Sequence, residues 1–250
     1  MKKILIFTIT ILLFAQMPLQ ADTKGKFDYY TLALSWQPAF CESKPNRREC
    51  RSQDEKRFDA YNFILHGLWP GVKGDKRHTY GYCDVSKSVI KKGKKSWCKM
   101  PKLDLSQKVR ANLNQFMPGT ASCLQRHEWY KHGSCSGLSE EDYYALSNQL
   151  VEKFSKTDFS QYIAKHVGKK VKRKTLLKKF DKEFGKGSRS YLVLRCKKVR
   201  RKSLLTEIQI HLKKNLLATD DFGKMFPKEK LRVRGNCPRR FKIDEVGISH

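Results

Sequence analysis

Ionisable side chains are concentrated in one short segment, residues 127–133, whose sequence is HEWYKHG. In an α-helix, which turns ~100° per residue, its two imidazoles, its carboxylate and its ammonium group share less than half of the circumference. These groups belong to His127, His132, Glu128 and Lys131. Trp129 and Tyr130 point the other way, where their rings can anchor the helix in a core. The pattern suits acid–base chemistry on an active-site helix; a polar surface helix with two incidental histidines is the alternative.

The same segment is close to the zinc-binding pattern H-E-x-x-H. Histidines in that pattern are four residues apart, so both reach the metal from one face of a helix. Here His127 and His132 are five residues apart, and Lys131 projects between them. Its positive charge would repel a metal ion. We therefore expect no metal and no cofactor at this segment.

A third imidazole lies in residues 63–70, whose sequence is FILHGLWP. The short apolar run predicts a buried strand that places His66 at its end. Gly67 lets the chain turn after it, and Trp69 supplies an aromatic surface beside the imidazole. Trp69 is expected to pack against His66 and to stack on a base, with plain core packing as the alternative. A lone histidine after an apolar strand is otherwise an ordinary core or surface residue.

These two segments resemble the two active-site segments of the ribonuclease T2 family. The resemblance extends along most of the chain. It includes residues 32–36 (LALSW), Cys135 just after the second segment, and residues 206–210 (TEIQI). The overall sequence is most similar to the bacterial periplasmic ribonuclease I branch of that family.

The resemblance implies an endoribonuclease that uses the 2′-hydroxyl of RNA as its nucleophile and needs no metal. It implies that His132 takes the 2′-hydroxyl proton and that His66 protonates the departing 5′-oxygen, which leaves a 2′,3′-cyclic phosphate. Imidazole titrates near pH ~6.5, so one ring can be neutral while the other is protonated. Lys131 and His127 would bind the phosphate and stabilise its growing charge. Glu128 either shares that role or keeps a neighbouring imidazole protonated.

Two departures from the family pattern concern base recognition. Some relatives carry an acidic residue directly after the Trp-Pro pair, where this chain has Gly71. Plant relatives carry Gln where this chain has Ser35, although Gln37 is close by. We therefore expect weak or no base specificity. The remaining histidines receive no role, with His211 expected on the outward face of a strand; they are His78, His166, His211 and His250.

Apolar periodicity indicates the elements that must position these groups. Strands are predicted at residues 27–36, 63–65, 191–197, 206–212 and 241–246, and helices at 103–116, from 139, and at 175–184. Residues 74–102 are rich in Gly, Lys and Ser and predict a long loop. Helices in the middle and strands at both ends indicate an α+β fold, a single domain in which α-helices pack on a central antiparallel β-sheet.

The eight cysteines all follow residue 21 and include no C-x-x-C pair. An even number at wide spacing indicates disulfides formed in an oxidising compartment rather than a zinc site. The expected pairs are Cys41–Cys50 as a local loop, Cys196–Cys237 by the family resemblance, and Cys135 with either Cys83 or Cys98, which leaves the other for Cys123.

Residues 1–21 have the pattern of a signal peptide. Lys2 and Lys3 precede an apolar run at residues 4–15, and Ala21 is a small residue at the expected cleavage site. The run is shorter than the ~20 residues that span a bilayer. We expect cleavage after Ala21, a catalytic domain at residues 22–250, and a periplasmic or secreted monomer without a membrane anchor. An uncleaved anchor is the alternative.

The chain is strongly basic, with 53 Lys and Arg against 24 Asp and Glu, a formal charge of +29. Without Lys2 and Lys3 the excess is +27. Such a field attracts nucleic acid or anionic surfaces. RNA is the expected substrate, and single-stranded DNA is expected to bind without being cut. The alternative is a non-catalytic, exported RNA- or polyanion-binding protein on the same scaffold. The basic residues cluster at Lys91–Lys95, Lys169–Lys174, Arg195–Lys202 and Arg239–Lys242.

Overall fold

The computed structural model describes residues 22–75, 80–216, 221–229 and 234–248, so the predicted signal peptide lies outside the described residues. Six strands form one sheet in the order β2-β1-β5-β6-β3, with β4 paired to β5. Every pairing is antiparallel except that of β5 with β6. The strands are β1 (Tyr29–Ser35), β2 (Ile64–Gly71), β3 (Lys170–Lys172), β4 (Leu192–Val199), β5 (Lys202–Lys213) and β6 (Arg240–Lys242). The predicted α+β class is confirmed.

The described chain also forms eight α-helices. They are α1 (Gln37–Ser43), α2 (Arg48–Arg51), α3 (Lys87–Lys95), α4 (Gln107–Phe116), α5 (Leu124–Lys131), α6 (Glu140–Ser155), α7 (Asp158–Ala164) and α8 (Arg173–Phe184). Short 3₁₀ turns lie between the helices at Phe58–Ala60, Trp97–Lys99, Pro118–Ser122 and Gly133–Cys135, and after α8 at Ser188–Tyr191 and Phe222–Met225. No helix in the described ranges is long and apolar enough to cross a membrane.

The prediction of a loop over residues 74–102 is wrong in part, because α3 lies within it. The Ser86 hydroxyl caps this helix by accepting a hydrogen bond from the Val89 amide. None of the nine residues of α3 is buried, and Val89 and Ile90 are its only apolar side chains, too few to mark an apolar helix face over several turns. Other boundaries also moved. Strand β2 continues to Gly71 instead of ending at residue 65, and β6 ends at Lys242 instead of residue 246.

The middle of the sheet is the core that supports the site. Leu32 and Leu34 of β1 face Ile210 and Ile208 of β5 across the sheet, and all four side chains are fully buried. Helix α6 packs on β2 through the Tyr143 hydroxyl, which donates to the Leu68 carbonyl at 2.8 Å and accepts from the Leu68 amide at 3.2 Å. This bidentate contact fixes β2 directly beside His66.

Four disulfides join all eight cysteines, and each predicted pair is confirmed. The pair left open by the sequence is settled as Cys83–Cys135, with Cys98–Cys123 as its complement. Cys123 directly precedes α5, and Cys135 follows it by four residues. Both ends of the helix with the ionisable face are therefore covalently tied to residues 83–98.

Candidate active site

A β-bulge directs the His66 side chain. Along the β1–β2 pairing, Ala33 faces Gly67 and Leu34 faces Leu65, so His66 is the additional residue without a partner on β1. A bulge bends the strand and re-aims the side chain of the additional residue. Gly67 is required beside it, because a Cβ atom there would lie 2.1 Å from Oε2 of Glu128. The glycine predicted to permit a turn in fact permits this close approach.

Two carboxylates surround the His66 imidazole. Nδ1 donates a hydrogen bond to Oε2 of Glu207 at 2.7 Å, and Nε2 lies 3.7 Å from Oε1 of Glu128. Burial lowers the pKa of His66, but the hydrogen bond to Glu207 and the charges of both carboxylates outweigh it and raise that pKa to about 9. The His66 imidazole is therefore protonated at neutral pH, with its Nε2–H free for a substrate.

Helix α5 supplies the opposite wall, and its ionisable and packing side chains lie on different faces, as the sequence predicted. Trp129 is buried and Tyr130 packs at the edge of the core, so the ionisable face turns towards β2. Glu128 is 1 % exposed and accepts a 2.7 Å hydrogen bond from Nε1 of Trp69. Burial raises the pKa of Glu128, against the lowering effects of the His66 charge, of this hydrogen bond and of Lys131.

His132 lies one residue beyond the helix predicted to contain it. Helix α5 ends at Lys131, and His132 caps it with its amide donating to the Glu128 carbonyl at 2.9 Å. Its ring lies 5.3 Å from that of Trp69, and its Nδ1 is buried without a hydrogen-bond partner among the described residues. Burial, and then the charges of Lys131, His127 and His66, hold the pKa of His132 well below its usual value. His132 is therefore uncharged at neutral pH, in the protonation state opposite to that of His66.

His127 lies on the far side of the same face. Its ring stacks on the indole of Trp97 with a centroid distance of 4.8 Å and an interplanar angle of 18°. Burial, followed by the charges of Lys131 and His66, lowers the pKa of His127 to about 4. His127 can therefore meet an anion as a neutral hydrogen-bond donor beside the positive charge of Lys131.

One cavity of about 320 Å³ unites the predicted site residues. Its lining includes His66, Trp69, His127, Glu128, Lys131 and His132. The Trp69 ring contacts the rings of both His66 and His132, with centroids 5.1 Å and 5.3 Å away. Trp69 thus packs the two imidazoles, which is the first of the two roles predicted for it. Within the part of the chain that the structure describes, no group of three or more His, Cys, Asp or Glu side chains could hold a metal ion.

The polar face of β5 lines this cavity through Gln209 and His211, which corrects one prediction. Glu207, Gln209 and His211 do share one face of the strand, as their alternation indicated. That face looks into the site instead of outward to solvent. His211 is only 3 % exposed, shares a 3.1 Å hydrogen bond with Oγ1 of Thr31, and lines the cavity. An alternating pattern distinguishes the two faces of a strand. It does not show which face is covered by another element of the fold.

Glu207 contacts His66 in the site, and the sequence did not single it out. Its second carboxylate oxygen accepts a 2.7 Å hydrogen bond from the side-chain amide of Gln209. The side-chain oxygen of Gln209 in turn accepts a 3.3 Å hydrogen bond from the Arg195 guanidinium. A chain of polar contacts therefore holds the carboxylate that orients His66. The available signal was the alternation of Glu207 with apolar residues in the segment 206–210, which is part of the family resemblance. Of the other histidines, His166 bonds the Tyr162 carbonyl outside the cavity, while His78 and His250 lie outside the described residues.

The fold and the site together define a class: a disulfide-stapled α+β nuclease that holds four imidazoles, a lysine and a buried carboxylate in one cleft of a basic surface. The chain belongs to the ribonuclease T2 family, whose model matches residues 27–222. It is 32% identical over 248 residues to ribonuclease I of Escherichia coli K12, a match that covers 92% of this chain and 91% of the relative. The resemblance seen in the sequence is confirmed, and the chain is an endoribonuclease of the T2 type.

A second bacterial relative and two solved structures agree with this assignment. A ribonuclease of Aeromonas hydrophila is 36% identical over 132 residues, which is 52% of this chain and 47% of the relative. Ribonuclease MC1 from bitter gourd seeds has the same fold, with a TM-score of 0.60 at 20% identity, covering 86% of this chain and 100% of that one. RNase NT, solved with 5′-AMP, gives a TM-score of 0.55 at 19% identity, covering 88% and 99%.

Proposed function

We propose that this chain is an exported, metal-independent enzyme that cleaves single-stranded RNA through a 2′,3′-cyclic phosphate, with low base specificity. One observation carries the proposal. Two imidazoles of one cavity have pKa values driven in opposite directions, that of His66 up to about 9 and that of His132 well below its usual value. Groups whose environments separate their pKa values in this way are suited to the roles of acid and base.

His132 acts as the general base and His66 as the general acid. The neutral His132 ring accepts the proton of the ribose 2′-hydroxyl as the 2′-oxygen attacks phosphorus. The bond from phosphorus to the 5′-oxygen breaks, and the Nε2–H of His66 protonates that oxygen. The products are a 2′,3′-cyclic phosphate and a free 5′-hydroxyl. No metal is required, because RNA supplies the nucleophile and the protein supplies both proton-transfer groups.

Lys131 and His127 bind the phosphate and stabilise the charge that grows on its non-bridging oxygens. Both line the same cavity as His66 and His132. Glu128 acts through His66. Its buried carboxylate lies 3.7 Å from Nε2 and favours the imidazolium form, so we assign it the second of the two roles considered for it.

Low base specificity is supported by the wall next to Trp69. Gly71 offers no side chain to a base, and a Cβ atom there would lie 2.6 Å from the Tyr29 ring. Pro70 and Val72 complete this part of the cavity with apolar surface. Stacking and apolar contact tolerate every base, because each base has a π-face.

The proposed location is the periplasm or the exterior of the cell, with residues 1–21 removed as a signal peptide and residues 22–250 retained as one monomeric catalytic domain. Four disulfides support this location, because structural disulfides persist in oxidising compartments.

The test is to incubate the purified mature chain with RNA and with single-stranded DNA in EDTA. Loss of RNA alone, with early products ending in a 2′,3′-cyclic phosphate, supports the proposal. Cleavage of DNA at a comparable rate, or 5′-phosphate ends on the RNA fragments, would contradict it. Binding of both polymers without cleavage would indicate the second candidate, a non-catalytic polyanion-binding protein, which the +29 charge of the chain favours.

A further inference from the structure

A second cavity adjoins the first one and shares His66 and Arg195 with it. It has a volume of about 340 Å³ and lies against β4, β5 and residues 35–49. Glu207 lines the second cavity and Glu128 lines the first, so the His66 ring stands between the two. His132 lines the first cavity and not the second.

Three exposed cations surround the second cavity: Lys44, Arg47 and Lys197. None of them forms a salt bridge with a carboxylate of residues 22–75, 80–216, 221–229 or 234–248. The two carboxylates of the lining are engaged elsewhere. Glu207 accepts a hydrogen bond from His66, and the buried Glu49 accepts a hydrogen bond from the hydroxyl of Ser122. The rim of this cavity is therefore positive and its cations are open to an anion.

The direction of the RNA strand follows from the proposed chemistry. His132 takes its proton from the ribose on the 5′ side of the scissile phosphate, so that ribose occupies the first cavity. His66 protonates the 5′-oxygen of the nucleoside on the 3′ side. Since His66 is the boundary between the cavities, the leaving strand passes it into the second one.

We propose that Lys44, Arg47 and Lys197 form a subsite for the phosphates on the 3′ side of the scissile bond. The inference rests on the proposed function and adds a direction to it: the enzyme holds the leaving strand by its backbone. The guanidinium of Arg47 lies 5.8 Å over the Trp97 ring, which leaves its edge available for a phosphate. Because such contacts are made to phosphate and not to bases, the subsite serves every RNA sequence.

The test uses DNA oligonucleotides that contain a single ribonucleotide, so that only one bond can be cut. One series carries zero to three additional phosphates on the 3′ side, and the other carries them on the 5′ side. The readout is the gain in kcat/KM per added phosphate, measured as a ratio within each protein. Exposed charge pairs contribute a factor of about 2 to 5 each, so the 3′ series is expected to gain about tenfold in wild type and to exceed the 5′ series.

The variant Lys44→Gln/Arg47→Gln/Lys197→Gln is expected to lose most of the 3′ gain. The matched control Lys108→Gln/Lys165→Gln/Lys178→Gln removes the same amount of charge from exposed residues outside both cavities. This control is expected to keep the full 3′ gain in kcat/KM.

Three results would overturn the subsite: equal gains in the two series, a full 3′ gain in the first variant, or the same loss in the control, which would indicate only a long-range field. A wild-type protein that cuts neither these oligonucleotides nor RNA would instead refute the proposed function, and the subsite with it.

Discussion

At the scale of single residues, the site separates binding from proton transfer. In the proposed mechanism, Lys131 and the basic surface attract the phosphate, whereas His66 and His132 exchange protons with the two oxygens of the reaction. The charge states of these imidazoles are set by different neighbours. Two carboxylates hold His66 in the protonated form, and burial beside cations holds His132 in the neutral form.

The first prediction concerns this pair. His66→Ala and His132→Ala are each expected to lower kcat by at least ~10², while the affinity for RNA hardly changes, because proton transfer contributes ~10²–10⁴-fold and the lysines and arginines remain. Single-turnover cleavage and filter binding with the purified variants measure the two quantities. Near-normal turnover in either variant would refute the assignment of roles.

The second prediction concerns Glu207, a positioning residue that acts through His66. In wild type, kcat/KM should fall as pH rises through the His66 pKa of about 9, since the acid form is then lost. Glu207→Gln removes the charged acceptor from Nδ1, so this basic limb should move to lower pH, towards ~6.5. Glu207→Asp keeps the charge and should retain part of the shift. If Glu207 were only structural, activity would fall without any movement of the limb.

At the scale of elements, the site depends on how closely β2 and α5 approach each other. The bulge at His66, the glycine after it and the hydrogen bond from Trp69 to Glu128 all lie at this contact. Helix α5 is held in place by Cys98–Cys123 at one end and by Cys83–Cys135 just beyond the other. The Tyr144 hydroxyl of α6 also donates to the Gln125 carbonyl of α5. These contacts leave little freedom for α5 to move away from the strand.

The third prediction tests that closeness. Gly67→Ala places a Cβ atom 2.1 Å from Oε2 of Glu128 and 2.3 Å from Nε1 of Trp69, so one of them must shift. Overpacking of this kind costs typically ~1–3 kcal/mol, and the displaced carboxylate should also weaken His66 as an acid. We expect a lower Tm and at least a tenfold lower kcat/KM.

Gly223→Ala is the matched control. A Cβ atom at residue 223 would lie 4.0 Å from its nearest neighbour, a ring carbon of Phe184, and the residue has no left-handed φ. This variant should leave both the Tm and kcat/KM close to wild type. A Gly67→Ala protein that behaves like this control would show that the contact between β2 and α5 tolerates a methyl group.

At the scale of the whole molecule, the charge is distributed far beyond the site. The formal excess of +29 is spread over strands, helices and loops, and the long-range field acts on the backbone of any nucleic acid. Binding should therefore depend on salt in a way that is nearly the same for RNA and single-stranded DNA. Cleavage should depend on the 2′-hydroxyl alone.

The fourth prediction puts numbers on this difference. If the surface holds about five phosphates, log affinity for a single strand falls by ~0.7 per phosphate per decade of salt, which is a loss of roughly 10²-fold between 50 and 200 mM. RNA and single-stranded DNA of equal length should give nearly equal slopes, with cleavage products from RNA alone. Titrations with the His132→Ala protein avoid turnover during the measurement. A slope near zero would exclude the electrostatic account.

Local sequence determined much of this protein. The face of α5 that carries four ionisable groups, the strand before His66, and the alternation along β5 are all set by residues a few positions apart. Helical and strand geometry relate such residues directly. The even number of cysteines by itself indicated that all of them are paired in disulfides. The family resemblance supplied the chemical roles.

Tertiary structure decided the contacts between distant residues. Glu207 bonds His66 across 141 positions of sequence, and the bulge that aims His66 exists only in the register of β1 with β2. The burial of His211 and the choice of Cys83 as the partner of Cys135 also depend on which elements pack together. Local periodicity fixes the direction of a side chain relative to its own helix or strand. The partner it meets is fixed by sheet register and helix packing, which only the folded chain defines.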